Sequence, residues 1–334
     1  MKRGESGLSL VVGVDKPKGM SSHDVVNRCR RIFGERRVGH TGTLDPLATG
    51  ALAVCIGPAT RLDAYFVNHD KVYDVRIAFG TATDTDDRCG QVIRTAEVPP
   101  ELSDETQARA FLFTCLGKQL QTPPQYSAIK RDGKRAYEAA RAGNVVELDA
   151  REITVYAADL LQTGRTEDGV LFWDVRFGVS KGTYIRSLAR DIGVRLGTAA
   201  HVSELRRIEA GGLHVDQCVT LEELEAAGPK AAIDPVRLLG FRTAFLNERQ
   251  QADVANGKRL PAKTLQLFEA PRNDQGDCCM TAHAKRSSAP LADGETISMV
   301  AGNTLVALYS AQVNRGMVSP CCVFAQGVYR GSNI

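Results

Sequence analysis

The sequence lacks any apolar run that approaches the roughly 18 residues of a membrane-spanning helix. Residues 1–9 include two basic side chains, but no long apolar region follows them ahead of a cleavage site, so the segment does not have the form of a secretory signal. We therefore expect a cytoplasmic protein with no membrane partner.

Cysteine spacing gives no sign of a metal site, because none of the nine cysteines forms a CxxC pair. Cys278–Cys279 and Cys321–Cys322 are adjacent doublets, which fit poorly to the tetrahedral geometry of a four-ligand zinc site. An odd number with scattered spacing is typical of a reduced cytosolic protein rather than of a disulfide framework. The sequence therefore predicts buried or incidental thiols and no bound metal.

Net charge is small, at +3, and it permits an RNA partner without requiring one, because RNA binding depends on a local basic surface. Five arginines nevertheless lie within ten residues and lead directly into a glycine-rich segment. They are Arg28, Arg30, Arg31, Arg36 and Arg37. A charged run is often only a solvated surface, but this position favours contact with phosphate groups.

The glycine-rich segment, residues 39–50, reads Gly-His-Thr-Gly-Thr-Leu-Asp-Pro-Leu-Ala-Thr-Gly and contains one carboxylate, Asp45. Glycine permits positive φ and close approach of the backbone to a ligand. Pro46 fixes its own φ and disfavours the α region for Asp45. We expect a tight loop that aims the side chain of Asp45 and admits a large ligand.

Two other interpretations of this loop stay open from its residues alone. An aspartate before proline often only bonds its own backbone in a turn. A glycine-rich loop can also bind phosphate, which would suggest a nucleotide hydrolase. The Walker pattern ends in Gly-Lys-Ser/Thr, however, and here Gly50 is followed by Ala51 and Leu52, so a phosphate loop is disfavoured.

The whole twelve-residue string closely resembles the active-site motif of the TruB family of bacterial tRNA pseudouridine synthases. Further segments are similar to motifs of the same family. They are Lys-Pro-x-Gly-x-Ser-Ser at 16–22, Lys-x-Tyr at 71–73, Tyr-Ser-Ala-Ile-Lys at 126–130, Ser-Lys-Gly-Thr-Tyr-Ile-Arg at 180–186 and His-Val-Ser-Glu-Leu-Arg-Arg at 201–207. The resemblance implies that the protein flips a uridine out of the T-arm loop of tRNA and isomerises it to pseudouridine. It implies no cofactor and no metal, and we expect a monomer with no obligate protein partner.

Particular side chains take roles through the resemblance. Asp45 is the catalytic carboxylate, and Arg186 is the cation that pairs with it. Tyr73 stacks on the flipped base, while His40 fills the space that the base vacates. The proton that leaves C5 has Tyr73, or water beside it, as its local acceptor. Two further residues contact the substrate: Tyr184 and Leu205.

The resemblance also implies an α+β fold. Residues 1–241 would form a pseudouridine synthase catalytic domain with a mixed, mostly antiparallel sheet and a central cleft. Residues 242–334 would form a small β-rich domain similar to the RNA-binding PUA domain, suggested by residues 254–260 and 304–313, with a mobile loop at about 271–295.

Local patterns predict individual elements of this fold. Strands are predicted at residues 8–14, 51–56, 71–80, 152–161 and 170–179. Helices are predicted after Ser21–Ser22, over 58–66, over 103–116 with Ser103 as cap, over 136–142, from about 185, and after a capping box at Thr220.

Three functions compete at this stage. The first is the enzyme, the second is an RNA-binding or RNA-folding helper without catalysis, and the third is the nucleotide hydrolase. A protein that only binds RNA has no need for Asp45, Tyr73 and Arg186 together, so we favour the enzyme.

Overall fold

The structure is a computed structural model that describes residues 6–67, 69–127, 130, 131, 134, 135, 147–269 and 285–331. The chain divides into two compact units. The first contains residues 1–46, 50–68 and 209–334, and the second contains residues 47–49 and 69–208. The predicted helix over 136–142 lies outside the described residues.

The described residues form short helices and many strands. The helices are α1 (Ser22–Phe33), α2 (Asp63–Phe66), α3 (Glu105–Phe113), α4 (Ile185–Arg195), α5 (Leu221–Ala227), α6 (Pro235–Leu239) and α7 (Glu248–Ala255). The strands are β1 (Leu10–Lys16), β2 (Val38–His40), β3 (Thr49–Ile56), β4 (Lys71–Phe79), β5 (Thr81–Thr83), β6 (Val92–Thr95), β7 (Gly117–Gln121), β8 (Lys130–Arg131), β9 (Lys134–Arg135), β10 (Arg151–Arg165), β11 (Leu171–Val179), β12 (Ala200–Ala210), β13 (Leu213–His214), β14 (Ala232–Ile233), β15 (Arg242–Phe245), β16 (Leu260–Pro261), β17 (Leu267–Phe268), β18 (Thr296–Ala301), β19 (Thr304–Gln312) and β20 (Met317–Tyr329). None of these helices has the length and apolar character needed to cross a bilayer.

The sheet of the first unit has the strand order β17-β15-β18-β19-β20-β1-β3. Strands β1 and β3 pair antiparallel along their whole length, from Leu10 opposite Ile56 to Lys16 opposite Gly50. Strand β1 is parallel to β20, and β15 is parallel to β18. The predicted mixed, mostly antiparallel sheet is therefore present, and both of these parallel pairings involve strands from residues 242–334.

Helix α1 forms where the sequence predicts it and covers this sheet. Ser21 accepts a hydrogen bond from the N–H of Asp24, and the Asp24 carboxylate accepts one from the N–H of Ser21. Gly34 ends the helix in the left-handed conformation, with φ of 60°. Val25 and Cys29 are fully buried against strands β1 and β3, which leaves the polar face of the helix outward.

The C-terminal residues of the first unit correct one sequence prediction. Residues 254–260 are not mainly extended, because α7 begins at Glu248 under a capping box between Asn247 and Gln250 and continues to Ala255. Thr304–Gln312 is a strand as predicted. These residues have a hydrophobic core of their own, centred on Met299, Tyr309 and Val318 among others.

The predicted loop at about 271–295 is described only from residue 285 onward. There Arg242 donates to both carboxylate oxygens of Glu295, each at 2.6 Å, and to the carbonyl of Ala289 at 2.7 Å. Residues 270–284 lie outside the described part of the chain.

The second unit is built on a sheet of order β12-β4-β11-β10-β7. Strand β11 buries alternate side chains as the sequence predicts, including Trp173, Val175 and Phe177. The Trp173 indole packs edge-on against Phe79, with ring centroids 4.9 Å apart, and donates to the carbonyl of Leu102 at 2.7 Å. This core supports the strands that carry the candidate site residues.

Helix α3 is shorter than predicted and has a different cap. Asp104, not Ser103, accepts hydrogen bonds from the N–H groups of Thr106 and Gln107, at 2.7 and 3.2 Å. The Ser103 hydroxyl instead donates to the carbonyl of Pro100 in the preceding turn. The carboxylate has two acceptor oxygens and complements the positive end of the helix, so it prevails over the neighbouring hydroxyl.

Candidate active site

The loop that carries Asp45 connects β2 to β3 in the chain. Gly42 and Gly50 have φ of 83° and 103°, a region that other residues rarely adopt, so these glycines are required as predicted. Asp45 itself is half-buried, and so is His40 at the end of β2.

The backbone on both sides of Asp45 is anchored to the segment 16–22. The Ser22 hydroxyl accepts from the N–H of Leu44 at 2.8 Å and donates to the carbonyl of the same residue at 3.0 Å. The N–H of Gly19 donates to the carbonyl of Pro46 at 2.8 Å. Asp45 is therefore held between two fixed peptide groups, which limits the directions that its side chain can take.

The anchoring segment is itself stabilised by Lys16. This side chain is fully buried, and its ammonium donates to the carbonyls of Pro17 and Met20, at 2.8 and 2.6 Å. Gly19 lies inside the turn that these bonds close, with φ of 87°. The motif at 16–22 thus serves two purposes, since Ser21 begins α1 and Ser22 with Gly19 positions the Asp45 loop.

Arg186 lies in the second unit and is buried, with 5% of its surface exposed, although an arginine near a helix start is normally exposed. Its guanidinium donates to the carbonyls of Thr85 and Tyr126, each at 2.9 Å. The Asp87 carboxylate lies 3.7 Å from the same guanidinium. These partners fix the plane of the guanidinium within the second unit.

Tyr184 is the residue before α4, and its backbone is held by a buried glutamine. The Gln121 amide donates to the carbonyl of Tyr184 at 3.0 Å and accepts from its N–H at 2.8 Å. The N-terminal end of α4, which carries Arg186, is thereby tied to the end of β7.

Tyr73 and Leu205 are both buried and lie on β4 and β12, which are neighbouring strands of the second unit. Tyr73 is opposite Phe177 of β11. Near the start of β4, burial lowers the pKa of Lys71 to about 8, and the positive charges of Arg207 and Lys181 act in the same direction. The pKa of His69 is also lowered, first by burial and second by the positive charge of Lys71.

The predicted arginine surface is only partly exposed. Arg28 forms an ion pair with Glu225, Arg30 donates to Asn27, and Arg37 donates to Thr60 at 2.7 Å. Two of the five remain exposed side chains: Arg31 and Arg36. Phosphate contact by this surface stays a prediction.

Sequence reasoning missed the residues that position the site. Asp87 lies outside every motif named above, and Gln121 at the end of an edge strand shows no motif by itself. Ser22 was recognised within the motif at 16–22 and as a helix cap, but not as the hydrogen-bond partner of Leu44. The adjacent acids Asp86 and Asp87, three residues before Gly90, were a usable signal for a structured acidic turn. Within the described residues, no group of three or more His, Cys, Asp or Glu side chains is arranged to hold a metal ion.

Comparison with known proteins identifies the class. Residues 30–185 match the model of the TruB family pseudouridylate synthase N-terminal domain, and residues 186–235 match the tRNA pseudouridylate synthase B C-terminal domain. The α+β fold is that of a pseudouridine synthase, as predicted. A chain from the structure of an H/ACA RNP bound to a substrate RNA containing 2′-deoxyuridine has a TM-score of 0.66 at 23% identity, covering 94% of this chain and 84% of that one, which shows the fold alone.

Curated relatives extend the match over most of the chain. A tRNA pseudouridine synthase B of Thermobifida fusca is 47% identical over 253 residues, 75% of this chain and 86% of the relative. Another, of Rhodospirillum rubrum, is 39% identical over 312 residues, 92% of this chain and 94% of the relative. The chain belongs to the TruB family of pseudouridylate synthases. It is therefore an enzyme, an isomerase that converts uridine to pseudouridine.

Proposed function

We propose that this enzyme isomerises a specific uridine in the T-arm loop of tRNA and that Asp45 is its nucleophile. The observation that carries the proposal is the anchoring of the Asp45 loop, with Ser22 and Gly19 fixing the peptide groups on either side of one carboxylate. A turn aspartate that only bonds its own backbone has no need of this support. The relatives named tRNA pseudouridine synthase B favour tRNA as the substrate.

The reaction needs one ionised carboxylate and no net change in composition. The bond between uracil N1 and sugar C1′ breaks, the base turns, and C5 bonds to C1′ while a proton leaves C5 and N1 gains one. Asp45 attacks either uracil C6 or C1′. Burial under the RNA would raise the pKa of this carboxyl, whereas a guanidinium beside it would lower it. We propose Arg186 for that cation, because it is always charged and can donate two parallel bonds to a carboxylate.

The base must leave its stack before Asp45 can reach it. Flipping costs about 1–5 kcal/mol, and least in a loop. Stacking on the Tyr73 ring would offset about 1–3 kcal/mol of this cost. His40 would fill the vacated space, while Tyr184 and Leu205 would contact the substrate. Tyr73, or water beside it, would receive the proton from C5.

The remaining parts of the proposal concern partners. Residues 242–334 would act as a PUA-like RNA-binding domain, with 1–241 as the catalytic domain. The enzyme would work as a cytoplasmic monomer on tRNA, without a cofactor or an obligate protein partner.

The decisive experiment incubates tRNA transcripts with wild-type protein and with Asp45→Asn, and maps pseudouridine by position. We expect wild-type protein to modify one T-arm uridine, and Asp45→Asn to bind tRNA normally but form no product. Asp168→Asn, the same change at an exposed carboxylate in the turn between β10 and β11, is the matched control and should keep full activity. Product formation by Asp45→Asn would refute the assignment of Asp45 as the nucleophile. If wild-type protein binds tRNA but forms no product, the RNA-folding helper is favoured instead.

Arg186→Lys tests the second member of the proposed pair. Lysine keeps the charge, but it cannot donate in one plane to the carbonyls of Thr85 and Tyr126 and also offer two parallel bonds to a carboxylate. We expect tRNA affinity to stay close to that of wild type and turnover to be slow. Wild-type turnover would remove Arg186 from the mechanism.

A further inference from the structure

Two arginines on one face of α4 connect the same two segments of the second unit. Arg186 and Arg190 are four residues apart, so they lie one above the other on the helix surface. Arg186 bridges the carbonyl of Thr85 in the loop 84–91 to the carbonyl of Tyr126 in the segment 121–127. It forms the first of two parallel links between these segments.

Arg190 forms the second link, one turn further along the helix. Its guanidinium donates to the Asp86 carboxylate at 2.9 Å and to the carbonyl of Thr122 at 3.0 Å. It also donates to Asp191, its neighbour on the helix, at 2.9 Å. Arg190 therefore bridges the loop and the segment on which the partners of Arg186 are found.

The loop has an unusual backbone at the residue that Arg190 holds. Asp86 has φ of 58° and is the one residue other than glycine with positive φ in the described part of the chain. It is 8% exposed, and its carbonyl accepts from the N–H of Val202 at 3.0 Å. Aspartate adopts positive φ more readily than most residues, but still at a cost in free energy, so the surrounding contacts help to hold it there. Burial raises the pKa of Asp86, and the charges of Arg190 and then Arg186 oppose that rise.

The position of Asp86 decides what Arg186 contacts. Thr85 and Asp87 flank it, and both contribute an oxygen to the surroundings of Arg186. If Asp86 relaxed to negative φ, the peptide groups on its two sides would turn relative to each other. The Thr85 carbonyl and the Asp87 carboxylate would then no longer face the same guanidinium.

We propose that Arg190 and Asp86 are positioning residues, which hold the turn 85–87 so that it orients Arg186 for catalysis. The proposal rests on the proposed role of Arg186. Arg190 touches neither the substrate nor Asp45 in this scheme, and it acts only through the turn.

The test compares single-turnover rates of pseudouridine formation and tRNA dissociation constants in full-length variants. For Arg190→Met we expect the rate to fall about 10- to 100-fold, as for a misplaced catalytic group, with tRNA affinity within about threefold of wild type. Arg195→Met is the matched control, since Arg195 lies on α4 but contacts Thr114 and the Phe111 ring instead. It should lose stability and keep the rate.

Asp86→Asn provides a second measurement that does not depend on the folding of Arg190→Met. Asparagine tolerates positive φ and can still accept one hydrogen bond, so the protein should fold, but the ion pair is lost. We expect a fall in rate of about 3- to 10-fold. The Nε–H resonance of Arg186 should shift in both variants and stay in place in Arg195→Met.

The outcomes separate the inference from the proposed function. If Arg186→Lys turns over at the wild-type rate, the proposed function of Arg186 fails. If Arg186→Lys is slow but Arg190→Met and Asp86→Asn keep the wild-type rate, only the positioning role is overturned. If Arg190→Met does not fold, the rate of Asp86→Asn decides by the same criterion.

Discussion

Replacing Ser22 by alanine should slow catalysis through the Asp45 loop, and the adjacent Ser21 supplies the control. The Ser22 side chain is 1% exposed and makes two hydrogen bonds, both to the backbone of Leu44. Alanine would leave a buried N–H group without this partner, which costs about 1–3 kcal/mol. Leu44 precedes Asp45, so the freed peptide would also let the carboxylate move.

Ser21→Ala removes a cap from the same helix without touching the loop. Loss of an N-cap hydroxyl costs about 1 kcal/mol in typical proteins. The two variants should therefore lose similar amounts of unfolding free energy, because the costs of about 1 kcal/mol for the lost cap and about 1–3 kcal/mol for the lost anchor overlap. They should differ in rate, since a displacement of about 1 Å at a reacting group can cost about 100-fold.

The assay measures kcat and KM for pseudouridine formation in tRNA, alongside urea unfolding of both variants. We expect kcat of Ser22→Ala to fall about 10- to 100-fold with KM within about twofold, and kcat of Ser21→Ala to stay at the wild-type value. Equal kcat values in the two variants, at equal loss of stability, would refute the reasoning. The contact with Leu44 would then be structural alone.

Gln121, Lys71 and Arg330 each give a further measurable expectation. Gln121→Met keeps the side-chain volume but loses both hydrogen bonds to the backbone of Tyr184, so kcat should fall while KM changes little. An unchanged kcat would contradict a role for these two bonds in positioning Tyr184. Lys71 has a folded pKa of about 8, below its ordinary 10.5, so the unfolded chain binds more protons between these values and stability rises with pH there. The free energy of unfolding of wild type relative to Lys71→Met should increase by about 1 kcal/mol from pH 7.5 to pH 9.5, after allowance for partial exposure, and a constant difference would contradict this. Arg330 is fully buried and donates to both oxygens of Asp234, so Arg330→Met should lower the free energy of unfolding by about 3–5 kcal/mol in urea, whereas a loss below about 1 kcal/mol would show that the pair is solvated.

Several elements were predictable because their causes are local. Helix α1 begins where its residues indicate, since the capping box of Ser21 with Asp24 lies within the first turn. Strand β11 follows its own alternation. Prediction was wrong where two adjacent groups compete, as in the capping of α3 by Asp104 rather than Ser103, because only the folded backbone shows which side chain reaches the free N–H groups.

The sequence by itself determined the family, the glycine-rich loop and the identity of the candidate nucleophile, because a contiguous motif needs no tertiary contact to be seen. Only the tertiary structure decided what holds these residues. The partners of Arg186, the carbonyls of Thr85 and Tyr126, lie 101 and 60 residues away along the chain. They are backbone atoms, which every residue possesses, so no side-chain pattern marks them. Folding alone brings such groups together, and for this reason the contacts that position the site could not be predicted from the sequence.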